Sequence, residues 1–209
     1  MNTFHRLTLF VSAVLFANLL HAAQMSDVKT GMSNAKTTSA IFAGGCFWCS
    51  ESDFEKLDGV IEAVSGYTSG NVDNPTYKQV SRGGTGHTEA VRVEYDPAKI
   101  SYQKLLDYFW RSIDPTVKDK QFCDHGSQYR SGIYYQNAEE KKLALASKKA
   151  LEKSGRFKKI HTEVLAASKF YPAEEYHQDY YKKNPVRYKY YRYSCGRDAR
   201  LESLWGKSE

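Results

Sequence analysis

Proline and cysteine are scarce in these 209 residues, with five and four respectively, and long apolar runs are missing after the first twenty or so. Each scarcity excludes something. Past the N-terminus no stretch approaches the ~20 apolar residues that span a bilayer, so no stable membrane association is expected once the leader is gone. Four cysteines suggest at most two disulfides, in any of three pairings, whereas disulfide-built scaffolds are normally small. With 41% hydrophobic and 14% aromatic residues the chain can bury a core without such staples. None of the five prolines follows a β-branched residue, so the proline expected opposite the cysteines of a thioredoxin-like fold is missing. A second Cys-x-x-Cys at zinc-finger spacing, an internal repeat and a second domain are also absent. The formal charge is +6, and removing residues 1–22 takes away one basic side chain, Arg6, leaving +5. That excess is mild and names no partner.

What is present begins with MNTFHRLTLFVSAVLFANLLHAAQ. Arg6 and the amino group precede an apolar run, Leu7 to Leu20, which exits through His21-Ala22-Ala23. This is a secretory signal peptide pattern. We expect residues 1–22 to be a leader cut after Ala22, residues 23–38 a disordered linker, and residues 39–206 the folded domain, periplasmic or secreted. No cysteine lies near the cut, so lipidation is not expected.

Along the domain, TSAIFA (38–43) reads as a buried strand entering Gly44-Gly45, and FWCSESDFEKL (47–57) as a helix. GVIEAVSG (59–66) and EAVRVEY (89–95) alternate like half-buried strands around a Gly-, Asn- and Ser-rich loop, residues 67–87. Ser101 caps an amphipathic helix with Leu105, Leu106, Phe109, Trp110 and Ile113 on one face, and Asp114-Pro115 ends it. GIYY (132–135) is a further strand, Asn137 caps a charged helix running to Gly155, residues 161–166 are a last strand, and residues 173–183 a last helix. The pattern predicts a single α+β domain: a mixed or antiparallel sheet with flanking helices. YYKKNPVRYKYYRY interleaves bases with aromatics as single-strand nucleic-acid binders do. In an exported chain a solvated helix followed by an aromatic-packed tail is the simpler reading, and no nucleic-acid partner is expected.

The chemistry concentrates in AGGCFWCSE (43–51). Cys46 falls where a strand passes into a helix N-terminus, a position that favours a thiolate, and the glycines before it leave room above the sulfur. Phe47 and Trp48 beside it can wall a small apolar pocket suited to a methyl or thioether group. Two rival readings stay open here. Cys46-x-x-Cys49 is also the spacing of dithiol–disulfide oxidoreductases, and Cys46, Cys49, Cys123 and His125 could together be a metal set.

GGCFWCSE, SGYTSGN with NPTYKQV, GTGHTEAVRVEYDP, DHGSQYRSGIYY and EEYHQDYYKKNP together resemble, in order, the A-type peptide methionine sulfoxide reductases. The resemblance runs from about Thr38 to Gly206. It implies a ferredoxin-like two-layer α+β core and reduction of the S epimer of methionine sulfoxide, free or in oxidised protein, by thiols. It also implies Cys46 as nucleophile, Phe47 and Trp48 as walls for the substrate methyl, and Glu89 as the acid that meets the sulfoxide oxygen. Tyr77 and Tyr129 would be the phenols that hydrogen-bond the same oxygen, and Asp124 a polar group shaping the pocket. His87 is expected to be a hydrogen-bonded loop histidine. Many relatives recycle through cysteines in a glycine-rich tail, whereas the tail here holds one cysteine, Cys195, and one glycine after it until Gly206. That departure suggests one disulfide relay, with Cys195 as resolving thiol, Cys49 second, and Cys123 a structural or buried thiol. The implied protein is a monomer with no metal, flavin or nucleotide, re-reduced by an external dithiol such as a thioredoxin-like protein.

Overall fold

In the computed structural model, which describes residues 37–207, the apolar run becomes the central strand. β1 (Thr38–Gly44) lies between β3 (Thr88–Tyr95) and β6 (Ser131–Tyr135), antiparallel to both, with Phe42 opposite Val91 on one side and Ile133 on the other. β2 (Val60–Thr68) pairs with β3, the short β8 (Tyr171–Pro172) with β2, and β7 (Glu163–Ala166) runs parallel to β6. The sheet order is β7-β6-β1-β3-β2-β8. With helices α1 (Phe47–Phe54) and α3 (Tyr102–Arg111) after β1 and β3, strands β1, β2, β3 and β6 give the β-α-β-β-α-β order of the ferredoxin-like fold. A two-residue hairpin, β4 (Lys120–Gln121) and β5 (Asp124–His125), stands apart from the sheet. The expected leader and the expected linker up to residue 36 lie outside the described residues, and β1 starts at the last residue assigned to the linker.

β1 reads as an uninterrupted apolar run because both its faces are covered. Ala40 and Phe42 join Val91, Val93 and Ile133 beneath Phe54, Leu105, Leu106 and Phe109, while Ile41 and Ala43 join Ala90 and Tyr134 beneath Phe170. Phe42 stacks on Phe54 at 5.0 Å and on Phe109 at 5.1 Å between ring centroids, and is 0% exposed. Phe42→Ala is expected to cost about 3–5 kcal/mol, read as the unfolding free energy in urea; a loss below about 1 kcal/mol would show that the stack does not hold the layers together.

Local capping follows the sequence closely. Ser101 Oγ accepts from Lys104 N and starts α3; Asn137 Oδ1 accepts from Glu140 N and starts α4 (Ala138–Lys153). The expected loop 67–87 also contains a short helix, α2 (Tyr77–Ser81), built on a Thr76/Gln79 capping box. The C-terminal third differs more. The helix expected over 173–183 is a 3-10 turn (Glu175–His177) and a single turn, α5 (Tyr180–Lys183), separated by Asp179 in the left-handed region at φ 54°. The expected packed tail is two helices, α6 (Pro185–Ser194) and α7 (Arg197–Trp205), with Pro185 at the first helical position of one and Gly196 (φ 66°) between them. Among the described residues no helix is long and apolar enough to cross a membrane.

Candidate active site

β1 delivers the chain to α1 through Gly44-Gly45. Gly45 has φ +86°, and a Cβ there would lie 2.5 Å from Gln121 Cβ, so this turn accepts no side chain. Cys46 is thereby placed as the N-cap of α1, with its carbonyl accepting from Cys49 N at 3.1 Å. The residue lies under cover, 7% exposed. The first free amide of the helix, Phe47 N, does not serve the sulfur: it donates to Glu89 Oε2 at 3.0 Å. This corrects the expectation of a thiolate held by the helix terminus. Burial pushes the Cys46 thiol well above its ordinary range, and the neighbouring Cys49, Glu89 and Asp124 reinforce the shift.

Glu89, near the start of β3, is 2% exposed, and burial raises its carboxyl to about 8 against the pull of the Phe47 hydrogen bond. The acid is therefore neutral at pH 7. Oε2 accepts from Phe47, so the proton belongs on Oε1, which has no protein partner among the described residues. Tyr77, opening α2, and Tyr129, closing a 3-10 turn (Ser127–Tyr129), complete the cradle. Both phenols are raised by burial first and by the Glu89 charge second, Tyr77 to about 12, and the Tyr77 ring lies 6.4 Å from that of Phe47, whose N–H holds Glu89. Asp124, at the start of β5, accepts from Tyr191 Oη at 2.5 Å, and burial first, then the Cys46 and Asp124 charges, push the Tyr191 phenol up. Phe47 and Trp48 stand 6.5 Å apart between centroids. The fold thus gathers Cys46, Phe47, Trp48, Tyr77, Glu89, Asp124 and Tyr129 at one end of the sheet. His87 accepts no role there: its Nε2 meets the Val72 carbonyl at 2.7 Å.

The cysteines pair in a way the sequence did not suggest. Cys123, on the tip between β4 and β5, is exposed and forms a disulfide with Cys195, the cap that ends α6. It is neither buried nor a lone thiol, which corrects that expectation. Cys46 and Cys49 are free and buried. The four-ligand metal set does not assemble, because the Cys123 sulfur is bonded to Cys195 and His125 is exposed on β5.

Several supporting residues were not singled out in the sequence. Tyr191 had been assigned to a packed tail. Glu174 takes Tyr77 N at 2.8 Å and Tyr67 Oη at 2.9 Å, fixing the start of α2. His177 Nδ1 accepts from Trp48 Nε1 at 3.0 Å, and Tyr180 stacks on the indole at 3.7 Å. The motif EEYHQDYY marks this segment, but only folding shows what each residue grips. A broad open cleft of about 1120 Å³, lined by Lys56, Arg111, Arg192, Asp198 and Trp205 among others, touches none of the residues around Cys46.

A buried thiol close to a carboxyl raised by burial, with aromatic side chains beside it and a separate disulfide between Cys123 and Cys195, suits thiol-based reduction of an oxygen-bearing substrate. The chain belongs to the peptide methionine sulfoxide reductase family, whose sequence model matches residues 38–209. It is similar to the Bacillus licheniformis peptide methionine sulfoxide reductase MsrA, 50% identical over 173 residues, 82% of this chain and 96% of that protein. It is 49% identical over 199 residues to the Vibrio cholerae MsrA/MsrB protein, covering 95% of this chain and 53% of the relative, so it spans about half that relative's length. Among solved structures, yeast (Saccharomyces cerevisiae) Mxr1 in reduced form aligns with a TM-score of 0.68 at 35% identity, over 73% of this chain and 88% of Mxr1. Mxr1 in complex with Trx2 aligns at 0.50 and 26% identity, over 73% of this chain and 91% of that one.

Proposed function

We propose that this chain reduces the S epimer of methionine sulfoxide, free or in oxidised protein, with Cys46 as nucleophile and Glu89 as acid. The observation that carries the reading is the neutral Glu89, oriented by Phe47 N and set beside the Cys46 sulfur. The sulfoxide methyl packs against Phe47 and Trp48, and its oxygen takes hydrogen bonds from Glu89, Tyr77 and Tyr129. As the Cys46 sulfur bonds to the substrate sulfur, Glu89 protonates the oxygen, and the thiol proton of Cys46 restores the acid. The oxygen passes to Cys46 as a sulfenic acid and the thioether leaves as methionine: one thiol and one sulfoxide become one sulfenic acid and one thioether.

Cys195 lies one helical turn beyond Tyr191, its N–H donating to the Tyr191 carbonyl at 2.9 Å, and two residues before Arg197, which donates to the carbonyl of Gly44 just ahead of Cys46. In the reduced enzyme the Cys195 thiol attacks the sulfenic acid, expelling water and forming a Cys46–Cys195 disulfide. The Cys123 thiol then attacks Cys195, forming Cys123–Cys195 and releasing Cys46 as a thiol. The relay has two disulfides rather than one. Its end state, Cys46 free and Cys123–Cys195 closed on the surface, is the arrangement found here. A thioredoxin-like dithiol opens the exposed disulfide, a reading supported by the Mxr1–Trx2 complex. We also place the enzyme outside the cytoplasm on the strength of its N-terminal pattern, take it to act as a monomer, and assign it no metal or nucleotide cofactor.

The test is a single turnover of fully reduced protein with racemic methionine sulfoxide, followed by non-reducing peptide mapping. Wild type should consume only the S epimer and end with Cys123–Cys195. Cys123→Ser should release one methionine and then hold a Cys46–Cys195 link, with turnover on an external dithiol reduced at least tenfold. A Cys46–Cys49 link in that variant would transfer the resolving role to Cys49.

A further inference from the structure

Glu51 takes part in none of these steps, yet it is 1% exposed and carries no cation within ion-pair distance among the described residues. Burial raises its carboxyl to about 7, opposed by the two hydrogen bonds it accepts. Burying a carboxyl away from the chemistry is costly, so its partners are informative. Oε2 accepts from Ser65 Oγ on β2 at 2.9 Å. Oε1 accepts from the backbone N of Asp179 at 2.7 Å. Asp179 is the left-handed residue that splits the 3-10 turn from α5. The two partners of Trp48 flank that split: His177, which accepts the indole N–H, lies two residues before it, and Tyr180, stacked on the indole within 5° of parallel, one residue after. Trp48 is itself three residues before Glu51 on α1. The contacts form a closed circuit from Glu51 through Asp179 to His177 and Tyr180, then to Trp48 and back along the helix.

We propose that Glu51 is a positioning residue: by holding the Asp179 backbone at the break, it sets His177 and Tyr180 so that the Trp48 ring stands at the correct angle to receive the substrate methyl. The assignment rests on Trp48 being a substrate wall. A neighbouring carboxylate, Glu55, grips the other side of the same segment through Tyr181 Oη at 2.6 Å and Lys182 Nζ at 2.6 Å. The segment therefore stays docked when Glu51 is removed, and what is lost is the setting of the break.

Glu51→Gln keeps an acceptor for Asp179 N and reverses the Ser65 bond, its amide N–H donating to Ser65 Oγ where Glu51 accepts, whereas Glu51→Ala removes both partners. The experiment compares wild type, both variants and Trp48→Phe by two readouts on thiol-titrated protein. One is the indole N–H resonance of Trp48, assigned as the signal missing in Trp48→Phe; the other is KM and kcat for methionine S-sulfoxide. Glu51→Ala is expected to shift the Trp48 resonance and raise KM about tenfold with kcat changed less than about twofold, and Glu51→Gln to restore both. A Trp48 resonance unmoved in Glu51→Ala overturns the positioning role. A shifted resonance with unchanged KM also overturns it, and shows in addition that Trp48 is not the substrate wall. Should Glu51→Ala fail to fold, Glu51→Asp, which withdraws the acceptor by one methylene, is read in the same way. A Glu51→Gln variant as impaired as Glu51→Ala would reduce Glu51 to a stability role.

Discussion

Cys46→Ser will release no methionine above the uncatalysed control in a single turnover, while folding as the wild type does. Serine keeps the N-cap position and fits the space, so the loss is chemical. Its hydroxyl cannot accept the sulfoxide oxygen as a stable, reducible sulfenic acid, and without that intermediate neither Cys195 nor Cys123 has anything to capture. The outcome separates the reductase from a dithiol oxidoreductase working through the same Cys-x-x-Cys. That enzyme would lose activity on disulfide substrates, and its wild type would leave methionine sulfoxide untouched. Methionine formed by Cys46→Ser at the wild-type rate would move the nucleophile to another thiol, and Cys49 would be the first to examine.

The second large effect belongs to Glu89. Glu89→Gln still accepts from Phe47 N and can still donate a hydrogen bond, but it cannot give up a proton, so the first step should slow by about 10²–10⁴-fold. The sign of the pH dependence follows from the raised carboxyl. Glu89 is protonated below about 8 and ionised above it, so the first step should hold steady through neutral pH and fall as pH rises past about 8. In Glu89→Gln that descending limb should vanish. The measurement is the rate of methionine formation in rapid-quench single turnovers between pH 6 and pH 10. A Glu89→Gln rate equal to wild type, or a descending limb that survives the substitution, would take the acid role away from Glu89.

Most of the fold's inner layer could be read from local signals. The apolar run of β1, the alternation in β2 and β3, the Ser101 and Asn137 caps and the glycine pair before Cys46 are short-range features, and each is found in place. The Thr76/Gln79 capping box was equally local and was passed over because glycine and asparagine dominate the loop around it. The site residues from β1, α1, α2 and β3 came with recognisable motifs. In the last third EEYHQDYY was recognisable as a motif, but the grip of each residue was not, for a physical reason. Asp179 adopts a left-handed conformation with no glycine or proline to announce it, held by a carboxylate 128 residues earlier. The Cys123–Cys195 bond joins positions 72 residues apart, one in a two-strand hairpin whose flanking Phe122 has φ 52°. Tyr191 sits in a basic, aromatic stretch that reads as a packed tail and does not show that its hydroxyl reaches Asp124. Long-range pairings that depend on unusual backbone angles leave no periodic trace.

The buried Arg197 reaches back 153 residues to donate to the Gly44 carbonyl at 3.2 Å, and also donates to the Ser112 carbonyl at 2.8 Å. The strand end that aims the nucleophile is therefore finished by a side chain synthesised almost last. A nascent chain carries Cys49 unsheltered until Tyr180 and Tyr188 of the C-terminal helices pack over it, and such distant closures are slow to form. During that interval the thiol is open to the kind of oxidant that turns methionine into its sulfoxide. The yield of folded protein should therefore depend on how reducing the surroundings are while the C-terminal helices find their seats.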